Sequence, residues 1–471
     1  MPSSSVSRRR LISSAVVGAL GGPGVARALE GGENSKVFVE PERELPMVRD
    51  ADVIVCGAGP AGVSAAITAA RAGAKVRLFE WRGCLGGVWT AGLLGWLIDF
   101  DKPGLTAELK RHLTERGLNR GGSESNLCYD PEGMKLLLEE LCAEAGVMFQ
   151  LHTKVSAAFK EGNRLTTIVT ESKSGREAWR APVFIDTTGD GDLGALAGCA
   201  FEIGEAEDCP CQPMSLNALL VCKDVGLLGD FVRYNETAEE GKSNSDKKDL
   251  FRAEIERAGH FPSYSKPTLW QIRDNLLLVM MNHEYGVKPF DAAAVTAATV
   301  RARAELHRIV NGLRALGGGW EGLQIAATAE QIGVRDGRRI RGRYVVSAED
   351  LKTGARHEDG VTRATFAVDI HALSAEHNKK AGYTNRGIKT QPYDIPLRAL
   401  LARDVEGLMM AGRCISGDFI AHSSYRVTGN AVAMGEAAGV TAAIAAATKR
   451  LPHEVDWKEG AAKLAAMRQR G

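Results

Sequence analysis

An α/β fold is predicted for this 471-residue chain, a Rossmann-type domain made discontinuous by an inserted domain with a mixed sheet, and three observations predict it. A short apolar run, Val53-Ile54-Val55-Cys56, leads into a small-residue helix pattern over 61–72 and a second strand pattern over 75–80, the opening of a βαβ unit. Between about 204 and 391 the character changes, with strand patterns at 216–222 and 275–281, a polar stretch at 235–248 and a long amphipathic helix over 292–316. After 392 the first style returns, with a strand at 407–411 and an Ala-rich helix over 430–448.

Taken in order, residues 1–28 read as a removable export signal. Ser7-Arg8-Arg9-Arg10 precedes an apolar run over 11–25 and then Ala26-Arg27-Ala28: a basic region, a hydrophobic region and a cleavage site. The paired arginines resemble a twin-arginine (Tat) signal, which implies a chain exported already folded to the periplasm or another extracytoplasmic space. Gly18, Gly21, Gly22, Pro23 and Gly24 break the run, so no membrane span is expected once the signal is cleaved. Residues 29–50 are a polar connector. The first part of the sheet domain is expected over 51–203, with Gly73 ending its first helix. Further helices are expected at 105–116 and 131–145, the latter with Asp130 as N-cap and Pro131 at its first position. Strands between 147 and 169 and at 182–187 are expected to return to the same sheet. The inserted domain takes 204–391, the sheet domain resumes over 392–450, and 451–471 is a tail or terminal helix.

Composition excludes several classes. The chain is 44% hydrophobic and 25% charged, enough to bury a large core. Without residues 1–28, which hold four arginines and no other charge, 55 basic residues face 58 acidic ones, a net charge of −3. Nucleic acid is therefore not expected as a partner, since it demands a concentrated basic face. Nine cysteines show no zinc-type spacing, no metal site is expected, and Cys209-Pro210-Cys211 is too close for an unstrained bond between its own two members.

The chemistry sits in the loops. Gly57-Ala58-Gly59-Pro60-Ala61-Gly62 fits G-x-G-x-x-G between a strand and a helix, so the helix N-terminus can turn its free N–H groups toward a pyrophosphate. Its glycines allow a tight turn, a close approach of backbone to phosphate and close helix–strand packing. Glu80, 18 residues after Gly62, stands where a carboxylate can accept bonds from a ribose. Trp81 and Arg82 follow it, then Gly86 and Gly87, where the chain can pass close beside an extended dinucleotide. No second such motif appears, which argues against a separate nicotinamide domain.

With Asp186-Thr187-Thr188-Gly189-Asp190-Gly191-Asp192 and Gly412-Arg413-Cys414-Ile415-Ser416, these segments resemble the FAD-dependent oxidoreductase family related to fumarate reductase and succinate dehydrogenase flavoproteins. The resemblance covers most of the mature chain and implies FAD as cofactor. It places Gly189 and Asp190 in the FAD domain and Gly412 beside the ribityl chain, where many relatives carry an acidic residue and this chain carries Arg413.

His422, Arg426 and Asn430 fall four residues apart, similar to the run that fumarate reductases place beside the isoalloxazine. Asn430 and Ala431 would open the Ala-rich helix, whose dipole favours negative charge on a reduced flavin. Arg426 could grip an anionic or carbonyl group, and His422 could act as acid or base. Arg335, Arg338, Arg339, Arg341 and Arg343 read as a solvated basic face, although the resemblance allows one of them to reach the substrate. Tyr393 and Arg398 are candidates to line the cleft. Cys84 reads as a packed thiol, and Trp89 and Trp96 as pocket wall or core.

The expected function is hydride transfer between a small organic substrate and flavin N5. After export, reoxidation would fall to a non-nicotinamide acceptor such as oxygen, a quinone or a cytochrome. A flavin-dependent monooxygenase, or a binding protein that reuses the FAD fold without catalysis, are the alternatives.

Overall fold

The computed structural model describes residues 38–206, 211–233 and 243–469; the export signal expected over 1–28 lies outside them. Residues 38–44 carry no helix or strand, and Arg43 pairs with Glu40 there. From Leu45 onward the chain forms its own unit.

At its centre is a five-stranded parallel sheet in the order Leu408–Met410, Val183–Asp186, Val53–Cys56, Val76–Phe79, Met148–Gln150. The two strands beside the centre register residue for residue with it, Val53 opposite both Val183 and Val76. Val53–Cys56 and Val183–Asp186 are buried at every position, which explains why they read as continuous apolar runs rather than alternating ones. The sheet is thus assembled from both ends of the chain.

Two expectations change here. The strands Lys154–Glu161, Arg164–Ser172 and Gly175–Arg180 do not join the parallel sheet; with Met47–Val48 they form a separate four-stranded sheet. The cause is local: Glu161 pairs with Arg164 across a two-residue turn that includes Gly162 at φ +61°, and such a hairpin pairs with itself. Phe79 then meets Trp179 edge-on at 4.9 Å, joining the two sheets. The Ala-rich helix runs Thr428–Thr448, so it opens two residues before Asn430.

That helix packs along Pro60–Arg71 through small residues. A Cβ on Gly435 would lie 2.3 Å from Ala61 O, and one on Gly439 2.3 Å from Ala65 O; the Ser64 hydroxyl donates to Val432 O at 2.6 Å. Thr428–Thr448 is long and apolar enough to cross a membrane, but most of it is buried in this core.

A second five-stranded sheet, mixed in sense, runs Val232–Arg233, Thr268–Arg273, Leu276–Met280, Ala218–Val221, Gln324–Thr328. It packs with the helix Ala292–Ala315 around its own core, from Met214 to Ile332, into which Leu93, Trp96 and Cys128 also project. From Ile340 on, the buried residues join the core of the parallel sheet. Cys211 is disulfide-bonded, its partner outside the described residues, and the other described cysteines are free and buried.

Candidate active site

One cavity of about 1210 Å³ is lined by residues of both cores. Its first wall is the glycine loop. Gly57 has φ +95°, and a Cβ there would lie 2.7 Å from Thr187 O; a Cβ on Gly62 would lie 1.8 Å from Gly57 O. Both are therefore glycine for packing reasons. Gly59 differs: it lines the cavity, and nothing stands within 4 Å of where its Cβ would be. The helix Pro60–Arg71 begins there with no side-chain cap, and its first intrahelical bond runs from Val63 N to Gly59 O at 3.0 Å. Pro60 has no N–H, so the amides of Ala61 and Gly62 are the ones a helix start offers to an anion.

Glu80, buried, braces this loop: Oε2 accepts from Ala58 N at 2.8 Å and Oε1 from Arg82 N at 3.0 Å. It lines the cavity with Trp81 and Arg82, the Arg82 guanidinium standing 4.3 Å over the Trp81 ring. Gly86 and Gly87 both have positive φ; Gly87 lies against Gly59, and Gly86 N donates to Ala58 O at 2.8 Å. Of the two, Gly87 lines the cavity.

The middle of the cavity is lined by Gly189, Asp190, Gly412, Arg413, Thr428 and Ala431. Arg413 donates to Asp190 Oδ1 at 2.7 Å, so the residue that replaces the family's acidic one ties two loops together. Asn430, expected beside the cofactor, is fully buried in the first turn of its helix and outside the cavity lining, with neither amide atom hydrogen-bonded; Thr428 Oγ1, on the lining, is likewise without a partner.

The far end carries four groups that sequence reasoning missed, Asp369, His371, Tyr264 and Lys248, and one of the arginines it allowed to reach the substrate. Asp369, His371, Tyr264, Lys248 and Arg335 line it together with Arg426. Arg426 donates to Asp369 O at 2.8 Å and to Gln212 Oε1 at 3.0 Å, and the same Gln212 oxygen accepts from His371 N at 3.0 Å. Arg335 donates to Pro213 O at 2.7 Å and Ser215 Oγ at 2.9 Å. The expected solvated face is corrected here. Arg335 and Arg338 line the cavity and Arg339 is a buried partner of Asp336, because the segment crosses between the two cores instead of running along the surface.

A hydrogen-bond chain sets the state of His371. The Tyr285 hydroxyl stands 2.9 Å from Ser263 O and 3.2 Å from His283 Nδ1. The Asp369 carboxylate can only accept, so His371 donates to it from Nε2 at 3.3 Å, and His371 Nδ1 accepts from His283 Nε2 at 3.2 Å. Burial, then Arg335, pushes His371 down to about 4, so the ring is neutral at neutral pH. Burial alone would raise Asp369, but His371, Arg426 and Arg335 outweigh it and hold its carboxyl below the usual range.

His422 does not join this group. It is fully buried and outside the cavity lining, neither ring nitrogen makes a hydrogen bond, and burial followed by Arg339 and Arg426 holds it well below its ordinary 6.5. Tyr393 is buried against Ser424 Oγ at 2.9 Å, and Arg398 pairs with Asp359 at 3.0 Å; neither lines the cavity. Trp96 is pocket wall, Trp89 is core, and Cys84 is a buried thiol against Thr90.

These residues fit FAD. Gly59 leaves space where a side chain would stand, the helix start supplies amides for a diphosphate, Glu80 stands beside them, and Thr428, on the cavity lining, holds an unused hydroxyl. Among curated proteins none matches the sequence. Solved structures with a similar course include a geranylgeranyl bacteriochlorophyll reductase-like protein from Thermoplasma acidophilum, 13% identical over 90% of this chain and 84% of that one, TM-score 0.46. Another is p-nitrophenol 4-monooxygenase PnpA from Pseudomonas putida DLL-E4, 12% identical over 90% and 86%, TM-score 0.44. Residues 52–466 match the family described as FAD dependent oxidoreductase, nearly the whole of the described chain, and the protein belongs to that family.

Proposed function

We propose that this FAD-dependent oxidoreductase moves a hydride between a small organic substrate and N5 of the flavin, with the substrate held at the end of the cavity formed by Arg335, Arg426 and His371. The observation that carries the reading is continuity: one cavity includes the Gly59 loop, where the dinucleotide belongs, and a pair of arginines beside a neutral histidine. FAD supplies the hydride acceptor or donor when bound. The chain's own residues do the rest. Arg426 and Arg335 orient a carbonyl or anionic group, their planar forks suiting two-point contact. The Asp369 carboxylate, on the cavity lining, takes the substrate's proton, with His371 Nε2 held beside it at 3.3 Å. Asn430 and the start of its helix favour negative charge at the flavin.

Two further parts of the proposal come from the sequence: a relation to fumarate reductase flavoproteins, supported by the spacing of His422, Arg426 and Asn430, and export by the twin-arginine route, supported by Arg8-Arg9-Arg10. Export would assign reoxidation to oxygen, a quinone or a cytochrome rather than NAD(P). The test is anaerobic mixing of the FAD-loaded protein with alcohols, sugars, amines and carboxylates, reading loss of the visible flavin band. Bleaching by at least one of them is expected; rapid bleaching by NADH would overturn the account of reoxidation, and bleaching by none would overturn the hydride reading.

A further inference from the structure

Four side chains lead from the cavity toward solvent in one line of hydrogen bonds. Asp369 lines the cavity, its carboxylate 3.3 Å from His371 Nε2. His371 Nδ1 lies 3.2 Å from His283 Nε2, His283 Nδ1 lies 3.2 Å from the Tyr285 hydroxyl, and that hydroxyl lies 2.9 Å from Ser263 O. Both histidines are buried, and Tyr285 is half-buried. The line is held from its sides: Glu305 accepts from Ser263 N and Oγ at 2.7 Å, His283 N donates to Ser263 Oγ at 2.8 Å, and the Tyr264 ring packs 4.1 Å from that of His283.

The two ends of this line, a carboxylate and a carbonyl, are both acceptors, and that fixes how many protons it holds. Its four links need four hydrogens. Neutral His371, neutral His283 and Tyr285 supply one each, three in all, so one link is always short. With Asp369 ionised the shortfall falls at the outer end: both rings carry their hydrogen on Nε2, and the Tyr285 hydroxyl serves either His283 Nδ1 or Ser263 O. Ser263 O tolerates this because Asn378 Nδ2 also donates to it, at 3.0 Å. Neither ring makes up the number by charging, since burial and then Arg335 hold His283 well below 6.5 and push His371 down to about 4, Arg426 adding to the effect at His371. A fourth proton at Asp369 serves every link. The carboxyl then donates to His371 Nε2, His371 Nδ1 to His283 Nε2, His283 Nδ1 to Tyr285, and Tyr285 to Ser263 O, each ring having changed Nε2–H for Nδ1–H.

We infer that Asp369, His371, His283 and Tyr285 form a proton chain that takes one proton from the substrate at its cavity end and releases it to solvent at Tyr285. This rests on the reading of Asp369 as the group that receives the substrate's proton, and it adds the route by which that proton leaves. In the oxidation of an alcohol or an amine, the C–H hydrogen leaves for the flavin as hydride with the electron pair of its bond. The O–H or N–H proton goes to Asp369, and the electron pair it leaves behind closes the C=O or C=N bond. The chain then holds four protons. Tyr285 gives its hydrogen to water, each group behind it passes one on, and the three-proton arrangement returns with Asp369 ionised.

The test reads histidine tautomers by nitrogen NMR of the FAD-loaded full chain labelled at histidine, with His283→Gln and His371→Gln assigning the two rings. At neutral pH both wild-type rings should carry their hydrogen on Nε2. Asp369→Asn puts a donor where the carboxylate can only accept, and should invert the tautomer ratio of both rings toward Nδ1–H, by about tenfold or more, because only that arrangement leaves no buried link unserved. Adding Tyr285→Phe removes the acceptor for His283 Nδ1–H and should return both rings to Nε2–H, which a local effect of the amide would not do. Acidifying wild type toward about pH 4 should move both rings to Nδ1–H with one shared midpoint, acid standing in for the substrate as proton source. Rings that keep Nε2–H in Asp369→Asn, or that stay on Nδ1–H in the double variant, overturn the chain. If Asp369→Asn fails to fold, the acid titration decides: separate midpoints, or a His283 that does not change, overturn it. None of these results requires turnover, so failure of the hydride reading shows separately, in the bleaching panel.

Discussion

Gly59 separates cofactor from fold at a single atom. Gly57 and Gly62 are locked by the Thr187 and Gly57 carbonyls, whereas a methyl at Gly59 meets only the space where the diphosphate belongs. Gly59→Ala is therefore expected to leave the denaturation midpoint of the FAD-free protein unchanged while weakening FAD binding by about tenfold or more, roughly 1.4 kcal/mol. Gly62→Ala should lower the midpoint even without FAD; equal effects of the two on stability would contradict this division of labour. At His422 the expectation concerns pH. Its proton affinity in the folded state lies well below 6.5, so below pH 6.5 the unfolded chain binds a proton that the folded chain refuses. Stability from this residue is present above that value and lost as pH falls, with a slope approaching about 1.4 kcal/mol per unit. His422→Met should thus gain on wild type as pH is lowered from about 7 to about 5 in denaturant titrations, where the midpoints give the comparison.

Between elements, the closest packing is that of Pro60–Arg71 against Thr428–Thr448. Gly435 and Gly439 let the second helix approach the carbonyls of Ala61 and Ala65, and the approach brings the glycine loop and the Thr428–Ala431 turn to the same cavity. Gly439→Val should cost about 1–3 kcal/mol by overpacking and also loosen FAD, because it pushes apart the two helix starts that line the site; tight cofactor with a lowered midpoint would show that the helices do not act together. Much at this scale was legible in the sequence, since a strand, a turn and a helix that follow one another are local. The Val53–Phe79 unit and the Asp130 cap of Pro131–Glu144 fall where their residues predict. What misled was pairing: the hairpins between Lys154 and Arg180 form a sheet of their own, and which strands pair is decided by contacts that no single run of residues displays.

For the molecule as a whole, the two halves of the cavity differ in how they are encoded. The FAD half comes from a contiguous motif, so Gly57 to Glu80 announce it. The substrate half is gathered from Gln212, Lys248, Tyr264, Arg335 and the Asp369–His371 segment, far apart in sequence and none with a signature of its own. His422 was singled out by spacing, yet burial placed it in the core, while His371, in an unremarkable stretch, lines the cavity with Asp369 beside it. Arg426 is the one residue that spacing and geometry share, and it carries the central claim that cofactor and substrate meet in one cavity. The direct measurement is anaerobic flavin bleaching in wild type and Arg426→Ala, both purified with FAD. The account predicts two yellow proteins of which only the wild type bleaches with an organic substrate; bleaching of Arg426→Ala at the wild-type rate would contradict it.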